Sequence, residues 1–188
     1  MTQSNIHSLN QRQSSSYFNY IREKRARDET FFDALHLAMC PKLTITSFTA
    51  IICIIDIVMF IVSLSIEPMQ NDEFLQPNQI ALNRLGEKID FEIRHNFQVY
   101  RWFLPIFLHA SFVHLLFNLV STLITGSSLE HSIGWPKLCL IYLLGGFGGN
   151  LFSSVLNPGT NSVGASTAIF SMIGFYISFL FLNWDAMG

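Results

Sequence analysis

Four long apolar runs alternate with polar segments along this chain. The first extends from Leu43 to Ile66 and carries one charge, Asp56. At ~1.5 Å per residue it is long enough to cross ~30 Å of hydrocarbon. A second run covers residues 112–128 and closes at Glu130; a third covers 138–156, after Gly134-Trp-Pro-Lys137; a fourth covers 165–182. Pro158-Gly159 predicts a tight turn between the last two. Residues 67–98 form a polar, net acidic interlude broken by Pro68 and Pro77, followed by an aromatic, amphipathic stretch from Trp102 to Ala110. Ahead of the first run, residues 1–16 are rich in Gln, Ser and Asn and cannot bury enough apolar surface to offset ordering, which predicts a disordered tail. The stretch around Phe31, Phe32, Leu35 and Leu37, behind the basic segment Ile21–Arg27, suits either a helix lying on a membrane surface or a short solvated helix. The pattern predicts an all-α, polytopic transmembrane helical bundle with four spans in residues 43–188, preceded by an amino-terminal region, 1–42.

Composition agrees. Of the 188 residues, 50% are hydrophobic and 13% charged, with a mean hydropathy of +0.37, too apolar for an ordinary soluble domain. A net charge of -2 without a basic stripe gives no case for nucleic acid as a partner and leaves membrane lipid as the surroundings. Cys40, Cys53 and Cys139 have the spacing of neither a disulfide framework nor a zinc knuckle, and read as packing residues; Cys40, near the first span, is alternatively a palmitoylation site. No cleavable signal peptide is expected, because residues 1–30 lack an apolar core. Six of the eleven Lys and Arg residues precede the first span, which places the amino terminus in the cytoplasm. Residues 67–111 and 157–162 then lie outside, and 130–137 and the end near Asp185 inside. With that topology His109, His114, Asn118 and Ser166 all enter from the outer face at a shared depth.

Polar groups inside apolar runs need partners, since an unpaired amide or hydroxyl costs roughly 2 to 7 kcal/mol out of water. His114 and Asn118 are four apart, on one helix face that Ser121 or Thr122 and Thr125 continue. Interhelical hydrogen bonding explains such a face as well as chemistry does. Gly164-Ala-Ser166-Thr167 is open in the same way: small residues permit close packing, whereas a serine at a helix amino terminus has its own N–H and the helix dipole ready to meet a developing negative charge. Gly145 and Gly149 form a small-residue ridge for helix contact. Asp56 is a proton relay or ion site, as a small helical transporter would need, or else a neutral or paired carboxyl facing the bundle. No metal site is expected. His36 and Cys40 supply only two ligands, and on a continuous helix His109 would lie about 140° around from His114.

Taken in order, these motifs resemble the rhomboid family of intramembrane serine proteases. Tyr100-Arg101 is similar to the family's Trp-Arg pair, His109 and His114-x-x-x-Asn118 to its second span, Gly126-x-x-x-Glu130 to that span's inner end, and Gly164-x-Ser166 to its nucleophile motif. The resemblance covers roughly residues 100–175. It implies that Ser166 is the catalytic nucleophile, and that His114, Asn118 and the Ser166 N–H form an oxyanion hole. Gly164 and His109 would stand at the substrate-binding positions, and Arg101 and Glu130 would be structural. The implied function is endopeptidase cleavage of transmembrane protein substrates, with no cofactor and no metal.

Two features depart from the family pattern. Thr167 stands where the motif usually has glycine, so a β-branched side chain would crowd the helix packing. The family's base histidine belongs to a sixth helix, whereas no histidine follows His131 here and the chain reads as lacking the last helices of the family. Without a base, a serine at its ordinary pKa is a weak nucleophile. The alternative is therefore a catalytically inactive rhomboid-like protein that binds transmembrane helices for trafficking or degradation.

Overall fold

In lipid the usual burial rule turns over: apolar side chains face outward and the small or polar ones meet inside. The computed structural model describes residues 44–70, 74–182 and 184; many of its buried helix positions are small or polar, while a row of large apolar side chains is exposed. The tail, the surface helix and the His36–Cys40 pair lie outside the described residues. Helix α1, Phe48–Ile66, buries Thr49, Ile52, Cys53, Asp56, Phe60 and Ser63 at helical spacing and exposes Ile51, Ile54, Val58 and Ile61. It starts later than the Leu43 expected, because Ser47 caps it by accepting from the Ala50 N–H at 3.2 Å.

Two short helices, α2 (Gln79–Leu85) and α3 (Asp90–Asn96), and two 3-10 turns (Val99–Trp102, Leu104–Phe107) occupy the polar interlude and the aromatic stretch after it. Helix α4, Phe112–Ile133, runs past Glu130, where an end was expected, and stops at Gly134 with φ +85°. Helix α5, Trp135–Leu156, begins three residues ahead of the expected Leu138, with proline in its first turn. Helix α6, Ser166–Leu182, follows the Pro158-Gly159 turn.

Three of these helices, α1, α4 and α5, are long and apolar enough to cross a membrane, and α6 is a shorter apolar helix of 17 residues. The chain is an integral membrane protein with an all-α bundle. Its packed centre joins Ile52, Leu129, Leu138, Tyr142, Ala168, Ile169 and Met172 from all four helices, with Ile106 reaching in from the second 3-10 turn.

Glycines set the closest contacts. A Cβ at Gly126 would lie 3.0 Å from the Thr49 side chain, so its absence lets α1 approach α4. One turn further on, the Glu130 carboxylate accepts from Phe48 N (2.8 Å), Thr49 N (2.9 Å) and Thr49 Oγ1 (2.7 Å). Amide groups at a helix start have no acceptor of their own and favour negative charge. Glu130 thus ties the carboxyl-terminal end of α4 to the start of α1. Gly145 and Gly149 do form a packing ridge, with Ser171 and Thr167 of α6 seated over them.

Candidate active site

The site lies where three segments meet: the start of α4, the start of α6 and the second 3-10 turn. Ser111 caps α4 by accepting from His114 N at 3.4 Å. His114 therefore sits in the first turn and Asn118 one turn below it. The Asn118 Nδ2 donates to the His114 carbonyl at 2.9 Å, which fixes the amide and leaves its second N–H to point elsewhere. His114 Nδ1 lies 3.5 Å from the Ala110 N–H. An Nδ1 that accepts leaves the proton of a neutral imidazole on Nε2.

Gly164 faces that Nε2. A Cβ at this position would stand 2.7 Å from His114 Cε1, 2.8 Å from Nε2 and 3.8 Å from Asn118 Nδ2. Its φ of +126° is a second reason for glycine. The Gly164 N–H donates to the Pro105 carbonyl at 2.8 Å, which moors the segment before α6. Ser166 is the first residue of α6, two positions on, hence within about 7 Å of Gly164 along the chain. Its N–H has no acceptor within the helix. Gly164, His114 and Asn118 are thus brought together, with Ser166 beside them.

His109 lies outside α4, because the helix begins only at Phe112, so the angular argument for a continuous helix does not apply. Its ring stands edge-on to that of His114, centroids 5.4 Å apart. His109 is fully buried, and neither ring nitrogen has a hydrogen-bond partner among the described residues. Burial first, and the neighbouring His114 second, push its pKa down to about 3, so the ring is neutral. Within the fold the buried ring packs against His114.

Thr167 proves compatible with close packing. Gly149 supplies the room, since a Cβ there would come within 2.7 Å of Thr167 Cβ, and Thr167 Oγ1 donates to the Gly146 carbonyl at 3.3 Å.

The loop ahead of Gly164 is held by groups that have no signal in the sequence. Lys88 and Ser162 exchange both backbone hydrogen bonds, at 3.1 and 3.3 Å. The Lys88 side chain, fully buried, donates to Asp90 Oδ2 and Ser153 Oγ, each at 3.2 Å. Asp90 Oδ2 also accepts from Gly159 N at 3.1 Å. Arg101 organises the segment that carries Lys88 by donating to the carbonyls of Asn83 (3.1 Å) and Glu87 (2.8 Å) and to the Gln98 side chain (2.6 Å). A cavity of about 470 Å³ opens beside the site, bounded by Leu82, Glu87, Ala110, Ser162 and Val163. Burial pushes the Glu87 carboxyl above the usual carboxylate range, against a hydrogen bond from Gln79 and the charge of Arg101.

Comparison with known proteins places these residues in context. Residues 96–188 match the Rhomboid domain model. RHOMBOID-like protein 1 of Arabidopsis thaliana is 36% identical over 125 residues, covering 66% of this chain and 32% of that protein. Rhomboid-like protease 2 of Toxoplasma gondii is 34% identical over 150 residues, covering 79% of this chain and 52% of that protein. Rhomboid-like protease 3 of the same organism is 37% identical over 123 residues, covering 65% and 44%. The chain therefore spans between about a third and a half of the length of these curated relatives.

Proposed function

We propose that this chain, which belongs to the rhomboid family, carries the nucleophile and oxyanion-binding part of an intramembrane serine endopeptidase. The reading is supported above all by one observation: a glycine with no room for a side chain lies against the His114 ring, with the Asn118 amide 3.8 Å away, two residues ahead of a serine that opens a helix. In this reading Ser166 Oγ attacks the carbonyl carbon of a peptide bond. The carbonyl oxygen takes up negative charge and accepts from His114 Nε2–H, Asn118 Nδ2–H and the Ser166 N–H. Donors fixed on helix ends stabilise that charge at little reorganisation cost, and loss of one typically costs 10² to 10³ in rate. Gly164 lets the scissile backbone approach, and His109 acts behind His114 by packing its ring. The substrates are transmembrane proteins whose helix opens near the outer face, since a peptide bond inside an intact helix is closed to attack. The cavity beside Ala110 and Val163 admits the flanking side chain.

The Ser166 proton needs an acceptor. His109 is enclosed and His114 is committed as a donor; family resemblance assigns the task to a histidine on a sixth helix, and none follows His131 in these residues. In a second reading the same pocket binds transmembrane helices without cutting them, as it would wherever the Ser166 proton has no acceptor. The amino terminus is assigned to the cytoplasm on the basic residues that precede α1. Fluorophosphonate labelling of the protein in native membranes tests the first reading. Labelling lost on Ser166→Ala supports it; equal labelling of both forms refutes it. Absent labelling with retained crosslinking to a transmembrane peptide selects the second.

A further inference from the structure

The Ser166 site leaves one set of buried polar groups unused. Asp56 of α1, Thr122 of α4 and Tyr142 of α5 are at most 1% exposed, and both Asp56 oxygens, Thr122 Oγ1 and Tyr142 Oη lack a hydrogen-bond partner among the described residues. The helix register brings them together. Gly126 rests on Thr49 and Glu130 holds the first amides of α1, so α1 and α4 run antiparallel from a fixed point. One turn up α4 comes Thr122; one to two turns up α1 come Cys53 and Asp56. Tyr142 stands edge-on to Phe48 with centroids 5.9 Å apart and lies within electrostatic reach of Asp56 and Cys53.

Among the described residues no fixed cation faces this cluster. On the helices packed around it the other titratable groups are Cys53, His114 toward the outer end of α4, Glu130 and His131 at its inner end, Lys137 and Cys139 at the start of α5, and Tyr176 of α6. Glu130 is taken up by α1, and Lys137 is exposed. An ionised carboxyl left alone inside a bilayer costs several kcal/mol, and orphaned buried oxygens mark an unseen water or ion. Two hydroxyls and one carboxylate offer oxygen ligands with a single negative charge. A divalent ion would remain net positive there, so the charge balance selects a monovalent one.

We propose that Asp56, Thr122 and Tyr142 form a buried site for one hydrated monovalent metal cation of the sodium class that joins the first three spans. The site is independent of Ser166 chemistry. A guest bound by the folded state alone raises stability by mass action. The test is the thermal unfolding midpoint of the purified full chain in detergent, measured with sodium chloride exchanged for choline chloride at constant ionic strength and, separately, across pH 6 to 9, a range of about three units. With sodium bound, the midpoint rises with the logarithm of sodium concentration once that exceeds the dissociation constant. The response disappears in Asp56→Asn, and Tyr142→Phe raises the sodium concentration at which the climb begins at least several-fold. A wild type whose midpoint ignores sodium and only falls as pH rises holds a neutral carboxyl with no ion and overturns the proposal, as does an Asn variant that responds to sodium as the wild type does.

Discussion

Gly164 lies so close to His114 that an added Cβ would stand 2.7 Å from the ring carbon Cε1. Alanine at 164 has to move the imidazole or the segment that leads to Ser166, and it has to adopt φ +126° besides. Strain of this kind costs roughly 1 to 3 kcal/mol. Gly164→Ala is expected to lower fluorophosphonate labelling by about 10²-fold or more, the loss typical of a displaced oxyanion donor, while the helical circular dichroism persists. Undiminished labelling would separate Gly164 from the site.

Glu130 serves α1 and not its own helix. Glu130→Gln keeps the size but loses the charge and one of the two carboxylate oxygens that receive three hydrogen bonds from Phe48 and Thr49. A charge-assisted bond contributes about 1.5 to 3 kcal/mol, so this variant should unfold more readily by an amount in that range. Gly126→Leu attacks the same junction sterically. Denaturation in detergent measures both, and an unchanged midpoint in both would place the α1–α4 junction elsewhere.

Lys88 and Asp90 form a buried ion pair that holds the loop ahead of Gly164 through Ser153, Gly159 and Ser162. Removing one partner strands the other charge, at a cost of about 3 to 5 kcal/mol; removing both for apolar residues costs far less. Lys88→Met and Asp90→Leu are each expected to destabilise strongly, and the double variant less than the sum. A double-mutant cycle of unfolding free energies gives the coupling; strict additivity would mean that the pair contributes nothing jointly.

Thr167 and Gly149 are matched across α5 and α6. Gly149→Ala puts a methyl group within 2.7 Å of Thr167 Cβ and should destabilise the bundle by about 1 to 3 kcal/mol, the usual cost of overpacking. Adding Thr167→Gly should restore most of that loss. Thermal melts of the two single variants and the double variant check it, and an unrescued double variant would show that the methyl collides with something else.

The four apolar runs were legible because lipid requires continuous hydrophobic length, and sequence carries that directly. Their ends were not. Glu130 reads as a stop signal, yet α4 continues to Ile133 because the carboxylate points to another helix's start. Helices α2 and α3 escaped notice because each has only 7 residues, too few for periodicity, and is held by contacts distant in sequence, Arg101 to the Asn83 carbonyl of α2 and Gly159 to Asp90 of α3. His114, Asn118 and Gly164 could be singled out because polar or small residues in apolar runs are costly. The enclosure of His109 could not be seen, since it depends on α4 beginning at Phe112 and on the loop turning the ring back over His114.

That enclosure sets a pH dependence with a definite sign. The His109 pKa falls from the model-peptide 6.5 to about 3 because burial, and then His114, penalise the imidazolium. Below pH ~6.5 the unfolded chain binds a proton that the folded chain refuses, so stability is lost as pH falls toward the folded value, by up to about 1.4 kcal/mol per pH unit. Glu87 acts in the opposite sense: its raised pKa makes the folded state hold a proton that the unfolded chain releases as pH rises through the acid range. The two are separated by comparing wild type with His109→Gln, which keeps a polar side chain but cannot titrate. Unfolding midpoints measured from pH 7 to 4 should fall more steeply in the wild type by about one proton's worth of slope. Equal slopes would mean that His109 takes up its proton within the fold, and that the ring beside His114 is open to water.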